Sequence, residues 1–137
     1  MQLGTYGTLN GSGHTNDDLQ AHELIRHEYL VQKGLASNKF RDADNPSIAL
    51  DLDHHTRGPQ KDTRGIGGAH HHEARIRQSQ GLGKNEFHPD SKRELDITQG
   101  GLRKAGVPAS RARKLRKQAE EFLRNKQKCR VCPTGCD

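Results

Sequence analysis

Asn45-Pro46-Ser47-Ile48-Ala49-Leu50-Asp51-Leu52-Asp53-His54-His55-Thr56 is the stretch whose reading decides the fold. Pro46 fixes an extended entry, and Ile48, Ala49, Leu50 and Leu52 make the most strand-like apolar run in the chain. That run delivers Asp53, His54 and His55 at its end. A passage rich in Gly and Pro follows, and the chain re-enters regular structure at Ala69-His70-His71-His72-Glu73. Five of the nine histidines, His54, His55, His70, His71 and His72, fall in this region. Imidazole works as base, acid and metal ligand near neutral pH, so the cluster points to acid/base or metal-assisted chemistry. The alternative is a solvated polar loop.

Outward from this centre, the spacing predicts mostly helices. Gly4 to Leu9 is a short β-capable piece, broken by Asn10-Gly11-Ser12-Gly13. Thr15 or Asn16 is placed to cap a helix that runs to Lys33 and stops at Gly34, with Leu24, Ile25 and Val31 as its apolar stripe. His22, Glu23, His27 and Glu28 lie beside that stripe. His22 and His27 are five apart, so they are not the His-Glu-x-x-His zinc signature. His27 reads equally well as an ordinary polar position on a helix edge.

Residues 69–80 form a second predicted helix, ended by Gly81 or Gly83, with His70 and Glu73 on one face. Ser91-Lys92-Arg93-Glu94 has the pattern of a capping box and starts a third, weakened at Gly100-Gly101. Gly106 and Pro108 precede a fourth, Ala109 to Lys126. Its Ala112, Leu115, Ala119, Phe122 and Leu123 keep helical spacing. Its other faces carry Arg111, Arg113, Lys114, Arg116, Lys117 and Arg124, either as a solvated face or as a phosphate-backbone contact.

The expected fold is therefore α+β and predominantly helical. A small element of two or three strands bears Asp53-His54 and packs on helices. The core is expected around Leu24, Ile25, Ile48, Leu50, Leu95, Leu115 and Phe122. Residues 1–128 read as one domain and 129–137 as a cysteine-containing tail.

Composition sets the boundaries. Only 29% of the 137 residues are hydrophobic and Trp is absent, so the core must be small and aliphatic. A formal charge of +6 and a pI near 9.5, with a mean hydropathy of −1.05, favour a polyanionic partner: nucleic acid, an anionic membrane surface or an acidic protein. No apolar run is long enough to span a bilayer, and residues 1–7 lack the basic and apolar regions of a signal peptide. The N-terminus reads as the cut edge of a longer protein.

The three cysteines, Cys129, Cys132 and Cys136, give one Cys-x-x-Cys knuckle. It is either part of a structural zinc site with a fourth, distant ligand or an oxidisable tail. Zinc deaminases place Pro before Cys-x-x-Cys, whereas Pro133 follows it here. No NAD-binding constellation is present to support an ADP-ribosyl transferase.

Taken in order, Gly4-Thr5-Tyr6-Gly7-x-Leu9, Ala21-His22-Glu23, Pro46-Ser47-Ile48-Ala49-Leu50 and Asp53-His54-His55-Thr56 resemble a group of C-terminal toxin domains. Arg75, Arg77, Gln78 and Gln80 continue the pattern, which covers roughly residues 3–125. Such domains are the variable tips of bacterial polymorphic toxins on Rhs-type or related carriers, and they are read as HNH-like or His-Me finger nucleases. Glu23 stands where the group has a second His, and one residue rather than two separates His54 from Thr56.

The resemblance implies a metal-dependent endonuclease acting on DNA, or on RNA, in the cytoplasm of a competitor cell. His22 and His54 would be the central pair, one the base and one a ligand, with His55 next. Glu23, Asp53, His70, His71, His72 and Glu73 would be ligands or their orienters. The ion would be divalent: Mg²⁺, Mn²⁺, Zn²⁺ or Ni²⁺. Arg75 or Arg77 would clamp the phosphate. A larger delivery protein and a cognate, acidic immunity protein would be the partners. A non-enzymatic nucleic-acid or protein-binding module with a structural metal is a second class of function, and a toxin of different chemistry, such as a deaminase, is a third.

Overall fold

The computed structural model describes residues 2–11, 19–37, 41–51, 68–83 and 86–131. Within these, the chain runs β1 (Leu3–Thr5), α1 (Tyr6–Gly11), β2 (Leu19–Glu23), α2 (His27–Gln32), β3 (Pro46–Asp51), α3 (Ala69–Ser79), α4 (Ser91–Lys104) and α5 (Ala109–Val131). The fold is a predominantly helical α+β domain with one small antiparallel sheet.

β3 is the central strand of the order β1-β3-β2. The apolar run that reads as a strand is thus the one paired on both edges and buried from Pro46 to Leu50. His22 pairs with Ile48, and Ala21 with Ala49. Opposed residues of an antiparallel pair share a face, so His22 lies on the side of Ile48 and Leu50. Those two belong to the buried cluster that contains Leu24, Ile25, Leu95, Leu102, Leu115, Ala119 and Leu123. The expected core is present, except that Phe122 is only partly buried against it. Tyr29, Leu30, Ala69, Ala105, Val107 and Ala112 complete the cluster.

One element differs in kind. The helix expected from Thr15 or Asn16 to Lys33 is instead a strand, β2, and a six-residue helix, α2. Leu19-Gln20-Ala21-His22-Glu23 has ordinary helix formers, but the open edge of β3 captures it: strand preference is set by neighbours more than by the residues themselves. The predicted stop holds. Gly34 adopts φ 72°, which a side chain would strain, and it ends the α2 turn.

α4 starts one residue earlier than its pattern implies. Asp90 is the N-cap and its side chain accepts from the Lys92 N–H. Glu94 is thereby released from capping and is buried instead. Gly100-Gly101 does not end α4, which continues to Lys104. A Cβ at Gly101 would stand 3.0 Å from the Ala69 carbonyl oxygen and 3.1 Å from the Glu73 Cβ. Gly101 is therefore a point of close backbone approach between α3 and α4, which helps to orient α3.

Candidate active site

The two histidine-bearing segments meet. His22, on β2, and His70, in the first turn of α3, have ring centroids 4.8 Å apart at an interplanar angle of 63°. His22 is buried to 1% exposure beside Ile48. Burial pushes the His70 imidazole below its ordinary pKa of 6.5. The Arg26 charge adds to that shift and the Glu73 charge opposes it. His70 is thus neutral at neutral pH, the form that accepts a proton or ligates a metal.

Strand alternation separates His22 from its neighbour. Glu23 points to the other face of the sheet. There its carboxylate is paired with Arg41 and accepts from the Asn45 amide at 2.9 Å. The same amide nitrogen donates to the Ile25 carbonyl at 2.8 Å. Burial pushes the Glu23 carboxyl above the usual range despite Arg41, Asn45 and the nearby His27. Glu23 therefore holds the β2–β3 junction and does not stand beside His22 as a ligand.

On α3, His70, Glu73 and Arg77 share the inward face. Glu73 Oε1 accepts from Arg77 at 2.9 Å and from Arg26 at 3.3 Å. Both Arg77 and Glu73 are only 1% exposed. The Arg77 guanidinium also pairs with both oxygens of Glu94, which in turn accepts from the His88 N–H at 3.0 Å. Burial opposes the charge of Arg77, but the hydrogen bonds and charges of Glu94 and Glu73 outweigh it and raise its pKa. Arg77, expected as a phosphate clamp, is enclosed as a strut between α3 and α4. Glu73 Oε2 is buried and has no hydrogen-bond partner among the described residues. It is an open carboxylate oxygen one helical turn from His70.

The remaining expected positions fall into three sets. His72 and Arg75 lie on a different face of α3, lining a cavity with Ile76, Ser79 and Lys104. The His71 ring sits 5.3 Å from that of His72. On α5, Arg111, Arg113, Lys114 and Lys117 are exposed. Arg116 is not one of that exposed set: it bonds Asp96 at 2.7 Å, Gln99 at 3.1 Å and Glu120 at 3.2 Å, tying α5 to α4. Cys129 is disulfide-bonded, and a disulfide sulfur is not the thiolate that zinc requires.

Asp53, His54, His55, Cys132 and Cys136 lie outside the described residues. The chain leaves β3 at Asp51, opposite Leu19 and so three β2 positions from His22. Three strand positions amount to about 10 Å. The chain returns at His70, in contact with His22. Asp51, the last described residue of β3, and His70 therefore both lie near His22.

For a divalent ion, the available donors are two imidazoles and the open oxygen of Glu73. Among the described residues no group of three His, Cys, Asp or Glu side chains is arranged to hold a metal. The donor types fit a divalent ion. Sequence reasoning missed Arg26, Arg41 and Lys104, which act as charges beside His70, Glu23 and His72; lone basic residues outside any motif carry no signal for such roles. No protein-family model, curated protein or solved structure matches this chain.

Proposed function

We propose that this chain is an antibacterial toxin domain that hydrolyses phosphodiester bonds of nucleic acid, with DNA the first candidate substrate and RNA the second. The observation that supports the reading is the meeting of His22 and His70. The toxin context rests on the ordered motifs of the sequence.

Phosphodiester hydrolysis needs a base for water, stabilisation of a more negative transition state and a proton for the leaving oxygen. The neutral imidazole of His70, or His54 as the sequence pattern suggests, takes the proton as water attacks phosphorus. The bond to the leaving sugar oxygen breaks, and that oxygen is protonated. A divalent ion, when bound, would stabilise charge on the phosphoryl and leaving oxygens; His70, Glu73 Oε2 and Asp53 are the residues that would hold it. Glu73 also keeps Arg26 close, so local positive charge favours an anionic substrate. The exposed cations of α5 supply sequence-independent affinity.

The same reading brings delivery by a larger carrier into a competitor's cytoplasm and an acidic immunity protein over the basic surface. No helix among the described residues is long and apolar enough to cross a membrane.

The test is incubation with plasmid DNA and with total RNA, with each divalent metal and with EDTA. The expected result is metal-dependent cleavage that EDTA stops and that His22→Ala, His54→Ala and His70→Ala each abolish while nucleic-acid binding persists. A folded, metal-loaded protein that cleaves neither polymer refutes it. The burial of His22 and the exposed cations of α5 favour a second reading, a non-enzymatic binding module. There the same variants would lose fold or affinity, with no activity to lose.

A further inference from the structure

α3 has a second face. His72, Arg75, Ile76 and Ser79 recur at helical spacing and line a cavity of about 600 Å³, completed by Lys104 from the last turn of α4. Among the described residues, no carboxylate lines this cavity. Of the described arginines, Arg26, Arg41, Arg77 and Arg116 have a carboxylate partner, whereas others, such as the exposed Arg111 and Arg113 of α5, do not. Among the described residues, Arg75 and Lys104 have no such pairing. Lys104 gains from its place at the negative end of α4, but Arg75 sits in the middle of α3 and has no such compensation.

The uncompensated charge is felt inside the cavity. Burial lowers the pKa of His72, and His71, Lys104 and Arg75 lower it further. The His72 Nε2 is enclosed without a hydrogen-bond partner. Ser79 donates its hydroxyl proton to the Ile76 carbonyl at 2.6 Å, so it shapes the rim and is not a donor to a ligand. A guanidinium fork, an ammonium and a nearby imidazole form a donor set for phosphate. The volume lies within the range of ligand pockets and exceeds what a bare ion needs.

We infer that the cavity between α3 and α4 is a phosphate seat, formed by Arg75 and Lys104 with His72 behind them, that holds a backbone phosphate of the nucleic-acid strand. The choice of strand as the phosphate source rests on the nuclease reading. His70 and His72 are two residues apart, so their side chains leave opposite sides of α3, separated by about one helix diameter, roughly 10 Å. A strand presenting one phosphodiester to His22 and His70 lays a neighbouring one into the cavity. Arg75 and Lys104 are positioning residues here.

The test compares wild type with the Arg75→Ala/Lys104→Ala double variant, both in EDTA, by fluorescence anisotropy of a labelled duplex over a salt series. Both residues are exposed, so the fold is expected to persist, checked by circular dichroism. The expected result is about a tenfold loss of affinity and a salt slope shallower by about 0.9, the value for one phosphate contact. Arg75→Lys with Lys104→Arg should restore the slope. Unchanged affinity and slope overturn the inference. A second arm titrates inorganic phosphate and follows the His72 imidazole by NMR. A phosphate-induced shift with unchanged duplex binding in the double variant overturns the strand as occupant, leaving a small-molecule site. The nuclease reading is scored separately by plasmid cleavage: wild type that cleaves while the double variant binds normally fails this inference alone, and wild type that neither cleaves nor binds fails both.

Discussion

Replacing Arg77 by Met separates a structural strut from a phosphate clamp. Arg77, Glu73 and Glu94 are 1–3% exposed, so solvent screening does not dilute their pairing. Met preserves the apolar part of the side chain and removes the guanidinium. Glu94 is then left with the His88 N–H, and Glu73 with Arg26 at 3.3 Å. Removing one partner of a buried pair costs about 3–5 kcal/mol. Against a total of roughly 5–15 kcal/mol for a domain, that is about a fifth or more of the stability. Urea denaturation followed by circular dichroism should show the midpoint fall with little change in slope.

Adding Glu94→Leu removes the stranded carboxylate and should recover most of the loss, because apolar replacement of a whole buried pair is often neutral or better. A cost below about 1 kcal/mol for Arg77→Met would refute the enclosed strut. So would a variant of wild-type stability that has lost cleavage, since that is the signature of direct phosphate contact.

Neighbouring glycines of α4 should respond oppositely to alanine. At Gly100 the nearest atom to a new Cβ is the flexible end of Ile76 at 3.0 Å, so helix propensity wins and thermal stability rises by up to about 1 kcal/mol. At Gly101 the obstacles are the Ala69 backbone oxygen and the Glu73 Cβ, so overpacking costs about 1–3 kcal/mol and thermal scans should show a lower midpoint.

The lowered pKa values of His70 and His72 mean that the folded state holds fewer protons than the unfolded one below pH 6.5. Stability from these groups is full above that pH and falls as pH drops through it. Urea midpoints between pH 7.5 and 5 check this, and His70→Asn should flatten the trend. The raised Glu23 contributes in the opposite sense: its stabilisation is present below 4.5 and is lost as pH rises through its folded value. Finally, Arg116→Ala should lower thermal stability by about 1 kcal/mol and leave the salt slope of duplex binding unchanged. Arg113→Ala should do the reverse.

Much of the fold was legible because its signals are local. Pro46 followed by Ile48-Ala49-Leu50 marks the central strand, and Gly34, Gly81 and Gly106, all at positive φ, mark three helix ends. Gly100-Gly101 was misleading for the opposite reason: a glycine that breaks a helix and one that admits a neighbouring helix look the same in sequence. Charge partners were the least legible. Arg77 and Arg75 are two residues apart with the same side chain, yet one is enclosed between two carboxylates and the other lines an open cavity. Only the position of α4, with its close approach at Gly101, distinguishes them.

The same logic governs the candidate site. Were Ala21-His22-Glu23 helical, as its residues favour, His22 and Glu23 would sit on adjoining positions of one surface. Pairing with β3 turns alternate side chains to opposite faces, giving Glu23 to Arg41 and Asn45 and leaving His22 on the core side. A second donor for His22 must then come from another element, and α3 provides His70. In the toxin reading proposed above, Glu23 occupies the position of a second histidine. On a strand that position faces away from His22, so a carboxylate there is compatible with the same chemistry at His22, provided that His70 takes the partner's role. Restoring histidine by Glu23→His should therefore not raise cleavage. It should cost stability, because Arg41 and Asn45 would lose the carboxylate they hold, and a gain in cleavage would place the functional pair on β2 alone.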